Sequence, residues 1–411
     1  MRSNARSSPR TDRTLLFASR GLRLFAFGAL SIAFVSYLAA AGYSGRAIAA
    51  LLTATLLGDA AVSLWITTNA DRRGRRAMLC VGALLTVAGG AAFLLTRRIE
   101  WLMIGATLGV LSPSGNEAGP FLPIEQAALS QLGEARDRTR TFAWYSLTGS
   151  VATALGALAG GALVQAALHS GAGEAASWRL PFVVHTIAGA LLLVLAAALS
   201  PAVEAPATEG AAPRAGVLGL HRSAGVVGRL SGLFALDAFA GGFVIQSVLV
   251  HWFHARWGAN PATIGALFFG ANLLSAASAL LAHRIAARVG LLRTMVFTHL
   301  PSNVLLLLVP VMPSLGAAIG VLLARFSISQ MDVPTRQSYT MAVVEPDERA
   351  AAAGVTGIAR SLGAALAPAV AGPLLLASGG APFWIAGGLK IAYDLLLWRA
   401  FRSDAATRAI R

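Results

Sequence analysis

The chain has 411 residues, of which 56% are hydrophobic and only 12% charged, and its formal net charge is +15. That charged share is about half of what soluble domains use to cover their surface, so a string of water-soluble domains is excluded. The positive charge does not indicate a nucleic-acid partner, because the arginines sit in short clusters between apolar runs instead of lining one face.

The apolar runs recur at about 20 residues, the length of a helix that crosses a bilayer. In lipid the backbone must satisfy its own hydrogen bonds, so these runs read as helices, and the alternating pattern of barrel strands is missing. Residues 1–13 are basic, and the apolar stretch after them ends near Ala39-Ala40-Ala41, which is similar to a signal-peptide cleavage site. A retained first helix is preferred, because the helix count needs it. Helices are predicted at 22–42, 47–68, 77–96, 101–129, 141–168 and 180–199. Residues 201–214, rich in Pro, Ala and Glu, read as a linker. Six further helices are predicted at 228–252, 261–283, 294–312, 314–338, 350–377 and 382–400. The expected fold class is an all-α integral membrane protein with about 12 transmembrane helices. They form two pseudo-symmetric six-helix bundles, 1–200 and 228–411, joined by a cytoplasmic linker at 201–227.

Basic residues in alternate loops set the orientation. With the N-terminus inside, the inner side carries 25 Arg and the outer side five. Both termini are therefore expected in the cytoplasm, with the chain in a bacterial inner or plasma membrane. Cys80 is the only cysteine, so there is no disulfide framework and no cysteine metal site.

Two short matches relate the halves. Ala47-Ile48-x-Ala50-Leu51 opens helix 2 and Thr263-Ile264-x-Ala266-Leu267 opens helix 8. Pro123-Ile124-Glu125-Gln126-Ala127 ends helix 4 and Pro334-Thr335-Arg336-Gln337-Ser338 ends helix 10. Their offsets, 216 and 211 residues, are nearly constant, as expected of a repeat architecture.

The loop after helix 2 reads Asp71-Arg72-Arg73-Gly74-Arg75-Arg76. It resembles the signature loop of the major facilitator superfamily, Gly-x-x-x-Asp-Arg-x-Gly-Arg-Arg, with Thr67 where the family has its first Gly. Gly74 suits a tight turn, the arginines hold the loop in the cytoplasm, and Asp71 can meet a positive helix end or an arginine. The second-half counterpart, Arg288-Val289-Gly290, is degenerate. In helix 5, Gly156-Ala157-Leu158-Ala159-Gly160-Gly161 is similar to the Gly-Pro-x-x-Gly-Gly element of the family's proton-coupled exporters, with Ala157 replacing Pro. Close helix packing through small residues explains it better. The resemblance implies a permease that moves a small-molecule substrate by alternating access. Protons are the expected coupling ion, and export is slightly favoured over uptake.

Helix 4 is interrupted by the polar, Pro-bearing stretch 112–120, and helix 10 by the stretch 330–336. Irregular backbone at membrane depth is tolerated only against protein or a water-filled cavity, so the pair points to a cavity or a gate. A charge in mid-helix costs roughly 2.5–3.5 kcal/mol, so each needs a reason. Glu117, Asp237 and Arg325, with Asn116, are the candidate substrate or proton pathway. Asp59 and Arg360 are expected either to pair as an inter-half latch or to find separate local partners. Glu125 and Arg336 read as a cytoplasmic gate or as solvated helix ends. Lys390 and Asp394, four residues apart, are expected to neutralise each other. His251 and His254 stand among Trp252, Phe253 and Trp257, as in an interfacial aromatic belt. No metal site, cofactor, ATP-binding loop or catalytic constellation is expected. The alternative to a transporter is a non-transporting sensor or assembly factor on the same fold.

Overall fold

The computed structural model describes residues 9–134, 137–205, 220–345, 348–371, 374 and 379–402. Among these residues it contains fifteen α-helices and no strand. The chain divides into two compact units, residues 1–209 with 260–269, and residues 210–259 with 270–411.

The first unit holds α1 (Pro9–Ala40), α2 (Gly45–Arg73), α3 (Arg75–Leu95), α4 (Ile99–Leu108), α5 (Phe121–Leu132), α6 (Arg138–His169) and α7 (Glu174–Ala198). The second holds α8 (Ala224–Gly242), α9 (Gln246–Trp257), most of α10 (Pro261–Val289), α11 (Leu291–Leu308), α12 (Leu315–Ser329), α13 (Asp332–Ala342), α14 (Arg349–Ala371) and α15 (Ala381–Phe401). Most of the predicted linker, and most of the predicted helix 11 beyond Ala371, fall outside the described residues.

Three predicted helices are each two. The break after α4 begins at Gly109 and runs through Pro113 and Pro120 to α5. The break between α12 and α13 lies at Gln330 and Met331; Pro334 then sits in the first turn of α13, where its missing N–H is harmless. The break between α8 and α9 is new. There Gly241-Gly242, poor helix formers, precede the β-branched Val244 and Ile245. The first helix also starts about a dozen residues earlier than predicted, taking in Leu15, Leu16 and Phe17.

Nine helical segments among the described residues are long and apolar enough to span a bilayer. The paired helices α4–α5 and α12–α13, and α15 with its internal Lys390 and Asp394, complete twelve crossings. Ile187, Leu191 and Val194 of α7 are exposed in a stripe, as are Ile358, Leu362, Leu366 and Val370 of α14. A helix facing water would place polar residues there; these face lipid.

In each half the first and fifth helices pack backbone to backbone. A Cβ at Gly156 of α6 would lie 2.0 Å from the Phe25 carbonyl oxygen of α1, and one at Gly363 of α14 would lie 2.3 Å from that of Ala235 in α8. Glycine is what lets these helices meet.

Candidate functional site

Each unit surrounds a polar cluster. In the first unit α1 presents Ser19, Arg20 and Arg23 inward, one helical turn covering all three. The Arg23 Nη1 and Nη2 atoms donate to Glu125 of α5 at 3.0 and 2.9 Å, and its Nε donates to Glu117 at 2.8 Å. Arg20 donates to the other oxygen of Glu117 and, at 2.9 Å, to the Tyr145 carbonyl of α6. Glu125 also accepts from Ser19 at 2.5 Å and from the Tyr145 hydroxyl, and its side chain is fully buried.

The broken fourth crossing satisfies itself with side chains. Ser112 Oγ donates to the Asn116 carbonyl at 2.7 Å, and the Gly119 amide donates to Asp59 Oδ1 of α2 at 2.6 Å. Asp59 has no basic partner among the described residues, whereas Arg20 and Arg23 are matched by Glu117 and Glu125. The Asn116 side chain is exposed.

In the second unit the centre is Asp237 of α8. Its Oδ1 accepts from Lys390 of α15 at 2.6 Å and has His299 Nε2 of α11 at 3.9 Å. Its Oδ2 accepts from Arg360 of α14 at 3.1 Å and from Arg336 of α13 at 3.4 Å. Arg336 also donates to Asp332 at 2.6 Å. Asp394 of α15 is held by His299 Nδ1 and by the Asn303 amide, each at 2.9 Å. Arg325 of α12 is buried nearby.

A family model described as Major Facilitator Superfamily matches residues 16–368. The chain belongs to this superfamily. A curated relative in Saccharomyces cerevisiae, the uncharacterized membrane protein YJR124C, is 27% identical over 420 residues, covering 94% of this chain and 93% of the relative. Among solved structures, the nucleoside transporter NupG matches with a TM-score of 0.70 at 13% identity, covering 96% of this chain and 100% of that one. A D-xylose–proton symporter matches at 0.69 and 16% identity, covering 94% of this chain and 97% of that one. At such identities the structural likeness concerns the fold. Family and fold together are those of multi-pass membrane proteins that act as secondary transporters of small molecules.

In this superfamily member the signature loop is tied down on several sides. Gly74 takes φ +98°, a conformation costly for any residue with a Cβ, and lets α3 start directly after α2. Arg75 Nε donates to Asp71 at 2.8 Å, and its Nη1 donates to Gln131 at 3.0 Å and to the Val203 carbonyl at 3.2 Å. Arg76 donates to the Ala197 carbonyl. Glu204 accepts the Arg75 and Arg76 backbone amides at 2.6 and 3.3 Å, placing a carboxylate at the positive end of α3. Arg72 is exposed.

The second unit has a similar clamp. Glu348, just before α14, accepts the backbone amides of His221, Arg222 and Ser223 at 2.7–2.8 Å. Burial pushes its carboxyl up, but these amides outweigh that effect and hold it at about 2, below its ordinary 4.5.

Several expectations change. Lys390 and Asp394 do not neutralise each other: the ammonium reaches Asp237, and Asp394 is taken by His299 and Asn303. Glu125 and Arg336 are not solvated helix ends, since both are buried within ion-pair clusters. Of the two alternatives for Asp59 and Arg360, the described contacts are those of separate local partners, Gly119 and Asp237. Glu117 and Asp237 belong to separate clusters. Arg20, just before the predicted first helix, and Arg23, at its start, lie well inside the first unit, because α1 begins upstream of them. Sequence reasoning also missed Ser19, Tyr145, His299, Glu204 and Glu348; the spacing of Arg20 and Arg23 on one helix face was the available signal for that cluster.

Proposed function

We propose that the protein is a secondary active transporter that carries a small molecule by alternating access and couples the movement to protons. It would act in a bacterial inner or plasma membrane with both termini in the cytoplasm. The observation that supports proton coupling is the environment of Asp59. Glu117 and Asp237 already hold cations, while among the described residues Asp59 has one backbone donor and no cation. A membrane-embedded carboxylate without a counter-charge is the group for which taking up a proton removes the largest penalty. The glycines of α6 that are similar to an antiporter element are accounted for by packing, Gly156 and Gly160 on α1 and Gly161 on the start of α10, so the flux assay, rather than that motif, reads the direction.

The test is solute flux in proteoliposomes with an imposed pH gradient, screened across solute classes. The wild-type protein should accumulate solute against its gradient. Asp59→Asn should keep solute exchange but lose accumulation driven by the pH gradient. Accumulation unchanged in Asp59→Asn would remove this residue from the coupling. No flux of any solute by folded wild-type protein would favour the sensor or assembly-factor reading.

A further inference from the structure

In the polar cluster around Asp237, the cations Arg325, Arg336, Arg360 and Lys390 outnumber the carboxylates Asp237, Asp332 and Asp394 by one. The contacts show which one. Arg336, Arg360 and Lys390 each donate to a carboxylate. Arg325 donates to none among the described residues; its Nε is buried without an acceptor, and its guanidinium lies over the face of the Phe326 ring at 5.1 Å. The nearest acids, Asp237 and Asp332, are already engaged by the other cations.

One helical turn further on, Ser329 occupies the same face of α12. Its hydroxyl is also buried and without a partner among the described residues. The relative exposures of Arg325 and Ser329 are 8% and 4%. Both lie just before the break at Gln330 and Met331, so the two unsatisfied donors stand at the end of a half-helix. Discontinuous crossings are where transporters place their ligand sites; because the C-terminal end of α12 carries the negative end of the helix dipole, an anion here depends on the Arg325 charge and not on the helix end. A guanidinium offers a planar fork of donors matched to a carboxylate or a phosphate, and such a group would cancel the excess charge and fill the vacant hydrogen bonds together.

We propose that Arg325 and Ser329 form an anion subsite that holds a carboxylate or phosphate group of the transported solute. Its role in transport rests on the reading above, but binding can be measured independently. The probes are succinate, inorganic phosphate, glucose 6-phosphate, and glucose and choline as neutral and cationic controls, added to the detergent-purified full chain during thermal unfolding. At least one anion should raise the Tm in a concentration-dependent way, and the controls should not. Which anion does so separates a carboxylate from a phosphate site. Arg325→Gln should abolish the shift, Arg325→Lys should retain part of it, and Ser329→Ala should raise the half-saturating concentration by about tenfold. Without ligand, Arg325→Gln should unfold no earlier than wild type, since no hydrogen bond among the described residues is lost. The proposal is overturned if no anion stabilises the protein, if the shift survives Arg325→Gln, or if that variant is markedly less stable on its own. Transport confined to neutral or cationic solutes, at a rate Arg325→Gln leaves unchanged, would overturn it too while leaving the transporter reading intact.

Discussion

Arg23 and Glu125 form a two-point ion pair at 2.9 and 3.0 Å with both side chains fully buried. The corresponding helices of the second half make a pair of opposite sense, with Asp237 on α8 and Arg336 on α13 at 3.4 Å. The first helix supplies the cation in one half and the anion in the other. Removing one member of such a pair strands the other in a dry interior. Glu125→Ala should therefore lower stability by about 3–5 kcal/mol, read as a fall in Tm or in the denaturant midpoint of the purified protein. Stability within about 1 kcal/mol of wild type would contradict the buried pairing.

Asp237 holds Lys390, Arg360 and Arg336 together. Asp237→Asn leaves these cations around a neutral amide and should reduce the yield of monodisperse protein far more than Lys390→Met, which removes one cation from a site that keeps two. The comparison is made by size-exclusion chromatography of equal membrane loads. Equal yields would argue against the hub role.

Because Asp59 and Arg360 each have a partner in their own unit, exchanging their charges gives each group the wrong neighbour. The double variant Asp59→Arg with Arg360→Asp should restore no transport lost by either single change. Rescue in a flux assay would revive the latch.

The Glu348 clamp gives a pH dependence. Its carboxyl is held at about 2, below its ordinary 4.5, so the clamp's contribution is fully present above about pH 4.5 and is lost as pH falls towards 2. Slow hydrogen exchange at the His221, Arg222 and Ser223 amides should persist at pH 5. In Glu348→Ala it should already be lost at pH 7. Protection that is the same in both proteins would show that something else holds these amides.

Gly156 meets the α1 backbone at 2.0 Å from where its Cβ would be. Gly156→Ala forces α1 and α6 apart and should cost about 1–3 kcal/mol, the range of overpacked cores. The same change at Gly225, with open space around it, is the matched control.

The membrane character, the two halves and the signature loop were legible because each is written in local pattern: run length, spacing and turn chemistry. Charge partnership was not. Lys390 and Asp394 have the spacing of a helical pair, yet two neighbouring helices, α8 and α11, supply closer groups. Arg20 and Arg23 fell at the edge of the predicted first helix because Leu15, Leu16 and Phe17 form too short an apolar run to announce a helix start. Glu204 and Glu348 read as ordinary acids in loops; only the fold shows that each meets the free amides of a chain segment brought back from far away.

The reversed sign of the two buried pairs limits how the halves can exchange material. If α8 replaced α1 within the first bundle, an aspartate would stand where Glu125 needs a guanidinium, and the reciprocal graft would set arginine against arginine in the second. A chimera assembled from complete six-helix halves keeps both buried pairs, so the heritable module for these charges is the half, and a single helix is not portable.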